Sequence, residues 1–136
     1  MRELLNVVQI IIATIGAFLG GILGGFDSFL YALVVFVIID YITGIMAAVI
    51  ERKLASNYGF RGIFKKVLIF TLVSAAHIID YRILESGSAI RTAVIFFYIS
   101  NEGISILENA GGIGLPIPQK LMDVLHQLNR EEDINE

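Results

Sequence analysis

Residues 4–26, LLNVVQIIIATIGAFLGGILGGF, carry no ionisable side chain. As a helix this run rises about 34 Å, enough to cross a hydrocarbon core of about 30 Å. Residues 28–50, SFLYALVVFVIIDYITGIMAAVI, form a second run of equal length, interrupted only by Asp40. Residues 67–84 are uncharged as far as Asp80, and residues 92–107 form a shorter stretch that contains Asn101 and Glu102. Together they predict an all-α integral membrane protein with three to four transmembrane helices, at about 4–26, 28–50, 67–84 and 92–107. A cleaved signal peptide is the weaker reading of the first run. It exceeds the usual apolar core of about 7–15 residues and ends in Gly24-Gly25-Phe26-Asp27, not in an Ala-x-Ala type site.

Composition agrees with the hydropathy pattern. Of 136 residues, 56% are hydrophobic and 17% charged, against about 25% charged in soluble domains. The mean hydropathy is +0.76. A net charge of −3 gives no basis for a nucleic-acid partner, and the absence of cysteine excludes disulfides and thiolate metal sites. There is no serine elbow and no Gly-Lys phosphate loop, so the sequence points to no enzyme and no cofactor.

The connectors set the topology. Gly24-Gly25 is suited to end the first helix, with Asp27 or Ser28 capping the second. Residues 51–66 hold Arg52, Lys53, Arg61, Lys65 and Lys66, half of all the basic residues, around the turn-forming run Ser56-Asn57-Tyr58-Gly59. By the positive-inside rule this loop faces the cytoplasm, and both termini join it there if four segments span. Gly111-Gly112-Ile113-Gly114-Leu115-Pro116-Ile117-Pro118 separates a membrane domain, 1–110, from a connector and tail, 111–136. In the tail, Leu121, Val124, Leu125 and Leu128 recur at i, i+3, i+4 and i+7, the pattern of an amphipathic helix over 119–130. It is suited to a neighbouring subunit, the membrane surface or a soluble partner.

Within the spans, several residues are candidates for function. Gly16, Gly20 and Gly24 recur every four residues, spacing that lets two backbones approach closely in lipid, either within one subunit or between two. Asp40 is thirteenth of 23 in its run, near the bilayer midplane, where insertion costs roughly 2.5–3.5 kcal/mol. Its carboxylate needs a water-filled lumen, a proton, or a cation or donor on another helix. The tetrapeptide Ile38-Ile39-Asp40-Tyr41 recurs as Ile78-Ile79-Asp80-Tyr81, and His77 is one turn from Asp80, spacing for a hydrogen-bonded pair. Asn101, Ser105, Glu108 and Asn109, with Glu102 alongside, make a polar stripe that either lines an aqueous path or lies in the membrane interface.

These motifs combine into a resemblance. Asp40-Tyr41-Ile42-Thr43-Gly44, the loop 53–62 with Lys65-Lys66, the Asp80 helix, and Asn101-Glu102-Gly103-Ile104-Ser105-Ile106-Leu107-Glu108-Asn109 followed by Gly114-Leu115-Pro116-Ile117-Pro118 resemble the phage holins of Gram-positive hosts. That group includes the clostridial toxin-secretion holins, and the likeness covers about 29–128. It implies a non-enzymatic protein of the bacterial cytoplasmic membrane whose partners are the bilayer and further copies of itself. The homo-oligomeric pore would serve an endolysin in host lysis, or a secreted toxin. The carboxylates Asp40, Asp80 and Glu102 would then be sheltered by neighbouring copies. A small ion- or proton-coupled channel using the same acids as a relay, and a scaffold recruiting a soluble partner through its tail, are the competing readings.

Overall fold

The computed structural model describes the backbone of residues 1–51, 56–85 and 87–135, and the side chains of 1–51, 59–85 and 87–127. The elements are α1 (Arg2–Ile22), α2 (Ser28–Ile50), α3 (Ser56–Ile78) with a π-helical continuation (Ile79–Leu84), α4 (Ala89–Ile113) and α5 (Gln119–Asn135). Among the described residues, four helices are long and apolar enough to cross a membrane: Arg2–Ile22, Ser28–Ile50, Gly59–Leu84 and Ala89–Ile113. The second span has the bounds expected of it.

The third and fourth spans are longer than the sequence predicted. α3 starts at Ser56, so the expected turn Ser56-Asn57-Tyr58-Gly59 is its first turn, and Arg61, Lys65 and Lys66 ride on a helix, not in a loop. Ser and Asn favour helix starts for the same reason that they favour turns: their polar atoms bond nearby backbone groups. Arg52 and Lys53 lie outside the described residues. α4 runs through Gly111 and Gly112 to Ile113, although each glycine costs about 1 kcal/mol relative to alanine. The helix ends at Gly114, where φ is +112° and the Gly114 and Leu115 amides donate to the Gly111 and Ala110 carbonyls.

Contacts along the helices fix their directions. α2 and α4 run parallel, Asp27 meeting Arg91 at one end and Asp40 meeting Asn109 further along. α3 runs antiparallel to both, with Lys66 beside Asp40 and Glu102. Leu30, Leu33, Val37, Ile69, Val73 and Ile95 form the buried core of this three-helix unit. In lipid such a core is held by van der Waals fit more than by exclusion of water, so close contact decides. Tyr41 therefore lies against Gly62, where an added Cβ would come within 3.4 Å of its ring. Phe36 and Leu125 meet Gly103, each 3.5 Å from where a Cβ would stand.

That last contact relocates the tail. α5 folds back on α4 of the same chain and seats Leu125 on Gly103, while Leu121 and Val124 stay exposed. α1, by contrast, has no buried residue. Its glycines divide. A Cβ added at Gly16 or Gly20 would meet nothing within 4 Å beyond its own helix, whereas Gly24 is outside the helix at φ +92°, and a Cβ there would be 2.6 Å from Arg91 Nε. Gly24 is thus a turn residue rather than a helix-packing one.

Arg91, 3% exposed, ties the 23–27 connector to α4. Its guanidinium donates to the carbonyls of Leu23 (2.6 Å) and Gly25 (2.9 Å) and to the Asp27 carboxylate (2.7 and 3.3 Å). Asp27 also caps α2, accepting from the Leu30 amide at 2.9 Å. Asp80, fully buried, accepts from the Ile90 and Arg91 amides at 3.0 and 2.8 Å, so it caps α4. This corrects two expectations: Asp80 stands apart from the other acids, and His77 stacks on Tyr81 at 5.8 Å between ring centroids. The π-helical continuation closes with the Glu85 amide donating to the Asp80 carbonyl.

The Arg91 guanidinium holds the Asp27 carboxyl below its ordinary value. A lowered folded-state value adds stability above the unfolded value of about 3.9, and this is lost as pH falls through the folded one. Thermal stability of the detergent-solubilised chain should therefore drop below about pH 4, and Asp27→Asn should shrink that acid limb.

Candidate functional site: an intramembrane charge cluster

Asp40 is thirteenth of the 23 residues of α2, and Glu102 sits at the middle of the 25-residue α4. Helical geometry places both about midway through their spans. Lys66, only two turns inside the α3 span, reaches them with its four-carbon stem. Its ammonium donates to Asp40 Oδ2 and to Glu102 Oε2, the latter at 2.6 Å. Asn109 Nδ2 donates to Asp40 Oδ1 at 3.0 Å, to the Asp40 carbonyl at 3.2 Å and to Thr43 Oγ1 at 3.0 Å. Asp40 and Glu102 are 6% and 4% exposed, and no buried side-chain N or O among the described residues lacks a partner.

Lys66, expected as one of the basic residues that set topology, is in the fold the counter-ion of both carboxylates. Asp40 thus meets a cation and a donor on other helices, one of the outcomes open to it, and one chain already shelters both Asp40 and Glu102 without the neighbouring copies that the resemblance implied. With both acids ionised the cluster carries one net negative charge, and its bonds hold α2, α3 and α4 in register. No spacing along the chain pairs residue 66 with 40 and 102. The available signal was a lysine placed directly before the uncharged run 67–79.

The cluster lines a groove of about 850 Å³ bounded by α2, α3 and α4, with His126 of α5 at its wall. Ser105 and Glu108 of the predicted polar stripe line it together with Asn101, and Arg61 and Lys65 line it from α3. Asn101 and Glu108 are exposed, whereas Glu102 points into the cluster. The candidates thus divide: Asp40, Glu102, Lys66 and Asn109 form one bonded unit, Asn101, Ser105 and Glu108 line its groove, and Asp80 serves the Arg91 junction. No group of three or more His, Asp or Glu suited to a metal ion occurs among the described residues.

Apolar spans, a buried charge cluster and a polar groove define a membrane protein. Residues 17–130 match the bacteriophage holin family. A 14.9 kDa protein from the nagH 3' region of Clostridium perfringens is 41% identical, covering 97% of this chain and 100% of its own. A protein of Listeria monocytogenes is 44% identical over 81% of this chain and 78% of its own. A probable holin of Bacillus phage phi105 is 37% identical over 78% of each. No solved structure matches. The chain belongs to the bacteriophage holin family, a family of membrane proteins and not of enzymes.

Removing the shared cation should cost more than removing one acid. Lys66→Met leaves two carboxylates facing each other and should destabilise the chain by about 3–5 kcal/mol. Asp40→Asn keeps the Lys66–Glu102 pair and should cost less. Equilibrium unfolding in mixed micelles measures both.

Proposed function

We propose that copies of this chain assemble in the bacterial cytoplasmic membrane into a homo-oligomeric pore. Such a pore lets an endolysin reach the cell wall or a large protein such as a toxin leave the cell. The observation that carries this reading is the polar groove, with Asn101, Ser105 and Glu108, set into helices that otherwise meet lipid. Polar side chains at that depth face protein or water. α1 supports it further: an apolar helix with no buried residue, whose Gly16 and Gly20 leave open space, offers a face for close approach of another helix. Since each subunit pairs Asp40 and Glu102 with its own Lys66, packing surfaces and groove, not stranded charge, drive assembly. With the basic end of α3 inside, residues 51–66 and both termini are cytoplasmic.

Induced expression with a membrane-impermeant dye tests this. Abrupt dye entry is expected. Ion flux without dye would instead indicate the coupled channel, and neither would leave the scaffold. Gly20→Leu should leave the single-chain fold intact, since nothing beyond its own stretch of helix lies within 4 Å of the new side chain's first carbon. It should nevertheless delay dye entry and shorten cross-linked ladders. Wild-type timing and wild-type ladders in that variant would remove α1 from the interface.

A further inference from the structure

The groove has two walls of different chemistry. On α3, Arg61, Lys65, Leu68 and Leu72 all line it at steps of four, three and four residues, so they share one helix face. That face is cationic for its first turn and aliphatic beyond it. From Arg61 to Leu72 the helix rises about 16 Å, half of a hydrocarbon core of about 30 Å and so the depth of one leaflet. Lys66 is committed to Asp40 and Glu102, whereas Arg61 and Lys65 are exposed and form no ion pair among the described residues. Across the groove, Glu108 offsets one of the two charges at the mouth, and the Lys66, Asp40 and Glu102 cluster lines the groove further in.

We infer that the groove is a binding site for one anionic phospholipid, its phosphodiester held by Arg61 and Lys65 and one acyl chain lying along Leu68 and Leu72. A cationic end at the membrane edge followed by an aliphatic track one leaflet deep matches an amphiphile in sign, order and length. Guanidinium and ammonium donors at the headgroup level bind such phosphates through charge-assisted hydrogen bonds. The site belongs to the single subunit in its bilayer and exists whether or not copies assemble, so lipid retention and dye entry are separate readouts.

The test reconstitutes the full chain in vesicles of equal phosphatidylglycerol and phosphatidylcholine, extracts it gently and weighs the retained lipid by native mass spectrometry. Wild type should retain phosphatidylglycerol in excess. Arg61→Gln and Lys65→Gln should each lower that excess about fivefold, while Lys65→Arg should keep it. Leu72→Trp, which fills the track without altering charge, should lower total retained lipid. Equal retention of the two lipids by wild type would overturn the site, as would an excess that survives in the double glutamine variant. Displacement of phosphatidylglycerol by millimolar inorganic phosphate would also overturn it, since it would indicate a site for a free anion. The wild-type comparison and the phosphate competition decide the matter even if a variant fails to fold.

Discussion

Three ionisable groups share one place inside the bilayer, and the architecture follows from satisfying them. An unpaired aspartate at mid-span costs roughly 2.5–3.5 kcal/mol on insertion scales, and a second carboxylate beside it would repel the first. Lys66 resolves both problems because a single ammonium can donate to two acceptors at once. This geometry exists only if α3 runs antiparallel to α2 and α4 alongside that pair and starts early enough to bring residue 66 to the level of residues 40 and 102. The extension of α3 back to Ser56 is therefore a requirement of the charge cluster as well as a local helix preference.

A second polar node stands at the opposite end of the unit and divides the labour. Arg91, Asp27 and Asp80 bond the helix ends to one another, satisfying carbonyls of the 23–25 turn and the first amides of α4. Between the two nodes lies the dry core of Leu30, Leu33, Val37, Val73 and Ile95. Lipid is as apolar as these side chains, so the core supplies fit, and the polar nodes supply the specificity that a purely aliphatic bundle lacks.

The distribution of glycine carries a related lesson. At the glycines most conspicuous in the sequence, Gly16 and Gly20, a side chain would meet open space in the single chain, while the less periodic Gly62 and Gly103 receive Tyr41, Phe36 and Leu125. A repeat every four residues reports that a helix has a smooth face, not which surface meets it. The open face of α1 and the occupied faces of α3 and α4 give the same residue type two uses, one inside the subunit and one available to a neighbour.

Helix content, spans and the exceptional position of Asp40 were legible in residue order, because hydropathy over about 20 residues and the cost of a charge in oil are properties of single segments. So was the holin resemblance, since its motifs are contiguous. The pairing of Lys66 with Asp40 and Glu102, the capping role of Asp80 and the seating of α5 on Gly103 were decided only in three dimensions. They depend on which helices lie side by side and at what depth, and a ladder of backbone hydrogen bonds within each helix says nothing about its neighbour. Lys66 is the plainest case: as a basic residue before an apolar run it was suited equally to marking the cytoplasmic side or to reaching inward, and only the packing of three helices selects the second.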